Sequence, residues 1–249
     1  MSRRDDVSNL YRIPNILDKI EKILFGIDVI FAIVALFVNP TIVSVAIIIQ
    51  IISAIFFFLI SVIDDGYFWY EAEKARRKNA IENGLETRLS ELETEEYYNN
   101  PNEASIEKYM LNLLESNMFS KEIAGKMMPL SFIKSAIAIA VLVVSWRFLP
   151  DSDFLIIIAQ TAFSSYVLVD TVQLVFYKLR MDDLYRDGYS VMIAPRNIEK
   201  GKEATLLAYA VEYEAIKAHY RIRLDGKIFK KNNDKLGEQW KQILSHMVK

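Results

Sequence analysis

The sequence predicts an all-α membrane protein, with four transmembrane helices in two hairpins and a mostly helical cytoplasmic domain. Three observations lead to this fold class. The 249 residues are 52% hydrophobic with a mean hydropathy of +0.15, yet 25% of them are charged. Four long stretches are nearly free of charge, and short turn sequences join them in pairs. The remaining polar segments are not rich in glycine or serine, so they are expected to fold rather than act as linkers.

Each of the four apolar stretches approaches or exceeds the ~20 residues that a helix needs to cross a ~30 Å hydrocarbon core. Buried core helices of a soluble protein are a weaker interpretation, because such helices are usually amphipathic. A secretory signal peptide is also disfavoured, since no small-x-small cleavage site follows the first stretch. The four stretches are residues 23–38, 41–63, 130–149 and 154–177.

Turns and basic residues define the topology. Asn39-Pro40 is a tight-turn dipeptide between the first two stretches, and residues 149–153 join the last two. Lys and Arg are concentrated on the opposite flanks, so both termini and the central segment are expected to be cytoplasmic. The predicted segments are a cytoplasmic N-terminal tail (1–22), a transmembrane hairpin (20–63), a cytoplasmic helical segment (64–129), a second transmembrane hairpin (130–177) and a basic cytoplasmic C-terminal segment (178–249).

Helical periodicity and caps subdivide the central cytoplasmic segment. A helix over residues 67–92 continues out of the second apolar stretch, and the Tyr- and Asn-rich run 97–102 is a turn. A second helix covers residues 105–118. Ser120 is a plausible N-cap for a short helix over residues 121–128.

The C-terminal segment begins and ends with helices. Residues 201–220 form a helix with one apolar face, and residues 236–248 form a closing helix that carries Trp240. Between them, residues 221–230 are compatible with a short β-hairpin around Asp225-Gly226 or with an extended loop. The apolar face consists of Leu206, Tyr209, Ala210, Tyr213, Ile216 and Tyr220.

Charge differs between the two cytoplasmic segments. Residues 71–129 contain 8 basic and 12 acidic residues, and residues 196–249 contain 12 basic and 7 acidic residues. Basic residues beside aromatic ones suggest a site for a nucleotide, an oligonucleotide or a lipid headgroup. The alternative is a solvated face opposite an acidic surface. The candidate ligand-binding residues are Arg221, Arg223, Lys227, Lys230, Lys231, Lys235 and Trp240.

Polar residues within the apolar stretches are costly and usually functional. Asp28 lies about 16 Å of helix from Asn39, and Lys134 lies about 18 Å from Trp146, which predicts an ion pair between the hairpins. Snorkelling of Lys134 to the headgroups is the alternative. Such groups must face a water-filled pathway or form interhelical hydrogen bonds. The candidate pore or intramembrane polar residues are Asp28, Gln50, Lys134, Gln160 and Asp170.

Catalytic chemistry is not indicated. The chain has no cysteine and two histidines, and it contains no phosphate loop, dinucleotide fingerprint, HExxH sequence or nucleophile elbow. The acidic pairs Asp64-Asp65 and Asp182-Asp183 are better explained as helix-end residues than as a metal site. We therefore expect a protein that is not an enzyme and holds no cofactor.

Several diffuse motifs span nearly the whole chain. The most specific is ESNMFSKEIAGKM at residues 115–127, directly before the third apolar stretch. The others are EKARRKNAIEN at 73–83, YYNN at 97–100, Tyr213-Glu214, Arg221-Ile222 and the basic stretch that closes on Leu236 and Trp240. Together these motifs resemble one known family, the SMODS-associated four-transmembrane effectors of bacterial antiphage defence.

The resemblance implies a pore-forming effector of the bacterial inner membrane, encoded beside a nucleotidyltransferase whose product controls it. In the Hailong type, a DNA oligomer holds a channel closed, which suits the basic C-terminal segment. A bundle of four helices cannot easily enclose a wide pore, so we expect a homo-oligomer, with a tetramer favoured. The expected partners are the lipid bilayer, further copies of the chain and a nucleotide or DNA-oligomer ligand.

Two function classes are therefore compatible with these features. The first is a ligand-gated channel that depolarises the membrane. The second is a membrane scaffold or sensor that conducts nothing and recruits a cytoplasmic partner. A membrane-embedded hydrolase is disfavoured by the lack of a catalytic constellation.

Overall fold

The computed structural model describes residues 6–34, 40–92, 100, 102–148, 154–193 and 201–247, except for the side chains of 32–33, 40–41, 145–146, 148 and 154–166. All regular structure in these residues is helical, which confirms the all-α prediction there. A five-residue π-helical turn, Asp64–Phe68, directly follows α3. The helices are α1 Asp6–Leu10, α2 Arg12–Val34, α3 Pro40–Ile63, α4 Trp69–Leu85, α5 Ile106–Phe148, α6 Phe154–Ile193, α7 Lys202–Tyr220 and α8 Gly226–Met247.

Two helical stretches are long and apolar enough to cross a membrane. They are Ile42–Leu85, which includes most of α3 and all of α4, and Ile106–Val144 within α5. Only 22% and 11% of their most apolar windows are buried. A core helix of a soluble protein would be mostly covered, so these faces are suited to an apolar surrounding. Of the predicted turns, Asn39 and residues 149–153 lie outside the described residues, and Pro40 is the first residue of α3.

The chain divides into two compact units. The apolar unit comprises Asp6–Lys74 and Leu130–Thr171, and the core unit comprises Ala75–Pro129 and Val172–Lys249. In the apolar unit, α2 packs along α3 as an antiparallel hairpin. The segment boundaries predicted from the sequence remain predictions.

The core unit has a continuous hydrophobic core supplied by α4 to α8. Met110 and Leu114 of α5, Met181 of α6 and Tyr213 of α7 are among its most buried side chains. Tyr177, expected within the second transmembrane hairpin, also lies in this core, with no exposed surface. The predicted apolar face of α7 is confirmed: five of its members are buried and Tyr220 is partly buried, because they repeat at helical spacing. The five are Leu206, Tyr209, Ala210, Tyr213 and Ile216.

The predicted break before the third apolar stretch is wrong. Helix α5 runs without interruption from Ile106 to Phe148 and includes Pro129. The N-cap is Ser105, whose hydroxyl accepts a hydrogen bond from the Lys108 amide at 3.1 Å. Ser120 is instead an interior position of α5, and its side chain is 3% exposed.

Helix α4 ends earlier than predicted, at Leu85 rather than at residue 92. Glu86 adopts a positive φ of 49°, which stops the helix. The Glu82 carboxylate then accepts hydrogen bonds from the amides of Leu89 and Ser90, so it holds the chain as it leaves the helix.

The β-hairpin interpretation of residues 221–230 is also wrong. Residues 221–225 are an extended connection, and α8 begins at Gly226, ten residues before the predicted closing helix. The Asp225 carboxylate accepts hydrogen bonds from the amides of Lys227 (2.8 Å) and Ile228 (2.9 Å). Asp225 is therefore the N-cap of a helix rather than the corner of a hairpin.

Candidate functional site

Side-chain to main-chain hydrogen bonds cross the α2–α3 hairpin. The Gln50 amide donates to the Asp28 carbonyl at 3.2 Å, and the Ser53 hydroxyl donates to the Leu24 carbonyl at 3.3 Å. Gln50 and Ser53 are each 4% exposed. Because both bonds join the same two helices about one turn apart, they fix the register of the hairpin.

The Asp28 carboxylate is buried but has no hydrogen-bonding partner in the described part of the chain. Its side chain is 6% exposed, and neither carboxylate oxygen accepts a hydrogen bond. The nearby Ser53 hydroxyl is directed to the Leu24 carbonyl instead. Burying a charged carboxylate in this position is energetically costly. The group must therefore be protonated, pair with a cation or be hydrated.

The predicted Asp28–Lys134 ion pair is not formed within this subunit. The two residues belong to the same unit, yet the Asp28 oxygens contact no cation in the described residues. Lys134 is partly buried. Equal depth along two helices does not bring side chains together, because rotation of each helix decides where they point.

Hydroxyl groups join α5 and α6 within the apolar unit. The Thr171 hydroxyl lies 2.6 Å from the Ser131 hydroxyl and 2.7 Å from the Ser135 hydroxyl. It also lies 3.1 Å from the Val167 carbonyl. These groups are thus satisfied by interhelical and intrahelical bonds, as in a closed helix bundle.

Two further polar candidates are less informative. Asp170 is exposed on α6, one residue before Thr171. Gln160 lies within α6, but its side chain is outside the described residues. Among the described intramembrane candidates, Asp28 is therefore the buried acid whose carboxylate accepts no hydrogen bond.

The basic candidates of the C-terminal segment differ in exposure. The four candidate lysines of α8 are exposed, as is Arg221, whereas Arg223 is partly buried. Trp240 is 2% exposed in the core, so its ring offers no face for stacking against a base. The Asp225 cap occupies the first amides of α8, so an anion would have to bind through lysine side chains.

A cavity of about 350 Å³ lies between α5, α6 and α8 of the core unit. Lys121 of α5, Tyr185 of α6 and Gln239, Gln242 and His246 of α8 are among its lining residues. Sequence reasoning did not find this site, because the lining comes from three segments far apart in the chain. The available signal was a polar stripe on α8 at positions 239, 242 and 246, which has helical spacing.

The charge of the cavity is nearly balanced. The Lys121 ammonium lies 3.2 Å from a Glu122 oxygen, 3.8 Å from an Asp182 oxygen and 4.7 Å from the centre of the Tyr185 ring. Burial, followed by the neighbouring Tyr189 and Glu122, raises the pKa of Tyr185. Tyr185 therefore stays a neutral phenol that can donate a hydrogen bond, while its ring contacts Lys121 and stacks against Tyr189 at 6.1 Å between ring centres.

One more buried acid lies on α5. One oxygen of Glu115 is buried and accepts no hydrogen bond in the described residues. Burial raises the pKa of Glu115 to about 7. No group of three or more His, Cys, Asp or Glu side chains suited to a metal ion occurs within the part of the chain that the structure describes.

Comparison of the chain with protein-family models, curated proteins and solved structures finds no match. Function is therefore argued from the residues and their geometry.

Proposed function

We propose that this chain is a pore-forming effector of the bacterial inner membrane and belongs to the SMODS-associated four-transmembrane family. Its four apolar stretches cross the membrane as two hairpins, with both termini cytoplasmic. Several copies, four in the favoured arrangement, surround an ion-conducting path. A nucleotide or oligonucleotide from a partner nucleotidyltransferase acts on the core unit and controls opening. An open channel depolarises the membrane and arrests growth in antiphage defence.

The observation that supports a channel best is the Asp28 carboxylate. Membrane-spanning helices rarely contain a charged residue, and those that do usually pair it or direct it to a water-filled cavity. Asp28 is 6% exposed and has no partner within the described residues of its own subunit. Hydration of this group in an assembled, open channel would remove its desolvation cost and would favour cations along the path.

Gating requires that the ligand distinguish two conformations. A ligand that binds the closed and open states equally tightly shifts neither population. The core unit is a suitable receptor, because its cavity and exposed lysines provide both neutral and cationic contacts. The transmembrane potential then drives ions when the channel opens.

The channel is tested by planar-bilayer recording of the purified full chain with and without nucleotides. We expect single-channel events in the wild type and a loss of cation preference, with reduced conductance, in Asp28→Asn. Asp18→Asn is the matched control, because Asp18 lies on the same helix but is 30% exposed and pairs with Lys22. Absence of events under every ligand condition would contradict the channel.

A non-conducting scaffold or sensor is the second candidate. It is favoured by the bonds of Gln50, Ser53 and Thr171, which satisfy most buried polar groups as a closed bundle would. Under this alternative, neither the wild type nor Asp28→Asn produces single-channel events. Ligand binding by the core unit is then unaccompanied by membrane depolarisation.

A further inference from the structure

Five side chains form one stripe along α8. They occur at intervals of four, four, three and four residues, which places them on one side of a helix with 3.6 residues per turn. None of them belongs to the hydrophobic core, and all five are exposed. The stripe begins with two cations and continues with two amides and an imidazole. Its members are Lys231, Lys235, Gln239, Gln242 and His246.

The C-terminal half of this stripe lines the cavity. Gln239, Gln242 and His246 form one wall, and Tyr185 of α6 lies among the residues that complete it. Glutamine amides can donate and accept hydrogen bonds at once, which suits the edge of a planar heterocycle. The Tyr185 hydroxyl can add a hydrogen bond to such a heterocycle, whereas its ring already stacks against Tyr189.

The cavity itself is unsuited to a phosphate. The charge of Lys121 is already balanced by Glu122 and Asp182 at 3.2 and 3.8 Å. An additional anion would be repelled by these carboxylates. Free cationic charge on this face of α8 is instead supplied by Lys235 and Lys231, which lie one and two turns before Gln239, or about 6 and 12 Å along the helix.

We infer that the cavity and this stripe form one nucleotide-binding site, with the base in the cavity and the phosphates on Lys235 and Lys231. The ligand class is a nucleotide with at least two phosphates, either a free nucleoside polyphosphate or a short oligonucleotide. The assignment rests on the proposed nucleotide control of this protein. It reduces the seven candidate ligand-binding residues to two lysines and adds Tyr185, Gln239, Gln242 and His246.

Other lysines of α8 serve as internal controls. Lys230 and Lys241 are also exposed and lie on the same helix, but helical rotation places each about a quarter turn or more from the stripe. Lys227 is not a control, because it lies four residues before Lys231 on the same side of the helix. Asp234 and Glu238 flank the stripe, so two lysines alone should bind phosphate weakly.

The test measures anisotropy of a fluorescein-labelled DNA tetranucleotide with the purified full chain in detergent. Competitors are ATP, tripolyphosphate and adenosine. We expect ATP or the unlabelled tetranucleotide to compete with the labelled probe. Stronger competition by ATP indicates that the ligand is a free nucleotide, and stronger competition by the tetranucleotide indicates an oligonucleotide. Tripolyphosphate and adenosine should each compete about tenfold less well, because each contacts one half of the site.

Variants then distinguish the stripe from general electrostatics. Lys231→Glu with Lys235→Glu should weaken binding by more than about tenfold, whereas Lys230→Glu with Lys241→Glu, with the same change in net charge, should weaken it about threefold or less. Gln239→Ala with Gln242→Ala should weaken it about five- to tenfold without changing its salt dependence. Circular dichroism and size-exclusion chromatography check the fold of each variant.

Equal losses for the two lysine pairs, or no effect of the glutamine pair, would overturn the site. Absence of binding by every nucleotide probe would also overturn it. The assay does not depend on conduction, so the two proposals fail separately. Binding without channel events leaves the site in place, and channel events without binding leave the channel in place.

Discussion

The Gln50 amide donates a hydrogen bond to the main-chain carbonyl of Asp28, at 3.2 Å across the α2–α3 hairpin. This bond holds the backbone at Asp28 while its carboxylate, 6% exposed, accepts no hydrogen bond. The hairpin therefore has a defined register and an unfavourable group at the same level. Proteins keep an energetically unfavourable group where function requires it. We therefore expect Asp28 to lower the stability of the protein while supporting its activity.

Asp28→Leu is expected to stabilise the protein and abolish conduction. Leucine has a similar size but no desolvation cost, so the free energy of unfolding should rise by about 1–3 kcal/mol. The measurement is the midpoint of thermal unfolding in detergent, followed by size-exclusion chromatography, alongside bilayer recording. Asp18→Leu, which removes an exposed pair with Lys22, should not raise the midpoint. A lower midpoint for Asp28→Leu would show that the carboxylate has a stabilising partner.

The ion pair between Arg76 of α4 and Glu214 of α7 should be strongly coupled. Its atoms lie 2.5 Å apart, and the side chains are 11% and 18% exposed. The other Glu214 oxygen is buried without a hydrogen bond, so removing Arg76 leaves a desolvated carboxylate. We expect a coupling energy of about 1–3 kcal/mol in a double-mutant cycle of Arg76→Met and Glu214→Gln, measured by thermal unfolding.

The exposed pair of Lys74 and Glu71 is the control for that cycle. Its side chains are 45% and 46% exposed at a distance of 3.2 Å. Solvent screening and side-chain entropy should hold its coupling below about 0.5 kcal/mol. Equal coupling in the two cycles would mean that burial does not strengthen the Arg76–Glu214 pair.

Glu115 should make stability depend on pH. Burial raises the pKa of Glu115 from 4.5 to about 7, so between these values the folded state binds more protons than the unfolded state. The free energy of unfolding therefore falls as the pH rises through this window. Above pH ~7, Glu115→Gln should be more stable than the wild type by about 1–3 kcal/mol.

Thermal unfolding between pH 4.5 and 8 measures this difference. The stabilising effect of Glu115→Gln should shrink as the pH is lowered, because protonation of Glu115 removes the cost in the wild type. Glu212→Gln, at an exposed site on α7, is the control and should not shift the midpoint. A difference that stays constant across this range would contradict a titrating Glu115.

Sequence patterns predicted the helices better than their ends or their contacts. The buried face of α7 can be predicted from its spacing. Leu206, Tyr213 and Ile216 lie on one side of the helix, and burying that apolar side requires a core to pack against. Helix α5 continues through Ser120 and Pro129, since packing compensates for residues that resemble breakers. At Asp225, one side chain is compatible with either a turn or a cap, and its bonds to two amides decide between them.

Contacts between distant segments could not be predicted in the same way. The depths of Asp28 and Lys134 were calculated along separate helices, and the rotation of each helix is set by packing that a single sequence does not reveal. The cavity needs α5, α6 and α8 together, so no local pattern contains it. The regular spacing of the α8 stripe can be read from the sequence. Its role as one wall of the cavity depends on Tyr185, which lies far away in the sequence.

Two glycines should respond oppositely to alanine. A Cβ on Gly84 would lie 2.5 Å from the Tyr109 Cβ and 2.6 Å from its Cα. Helices α4 and α5 would have to separate to accept it, so Gly84→Ala should lower the free energy of unfolding by about 1–3 kcal/mol. A Cβ on Gly237 of α8 meets nothing within 4 Å, so Gly237→Ala should gain about 0.5–1 kcal/mol from helix propensity. Thermal unfolding of both variants measures the effect. A gain for Gly84→Ala would mean that the close α4–α5 approach is absent in solution, whereas Gly237→Ala reports the propensity term alone.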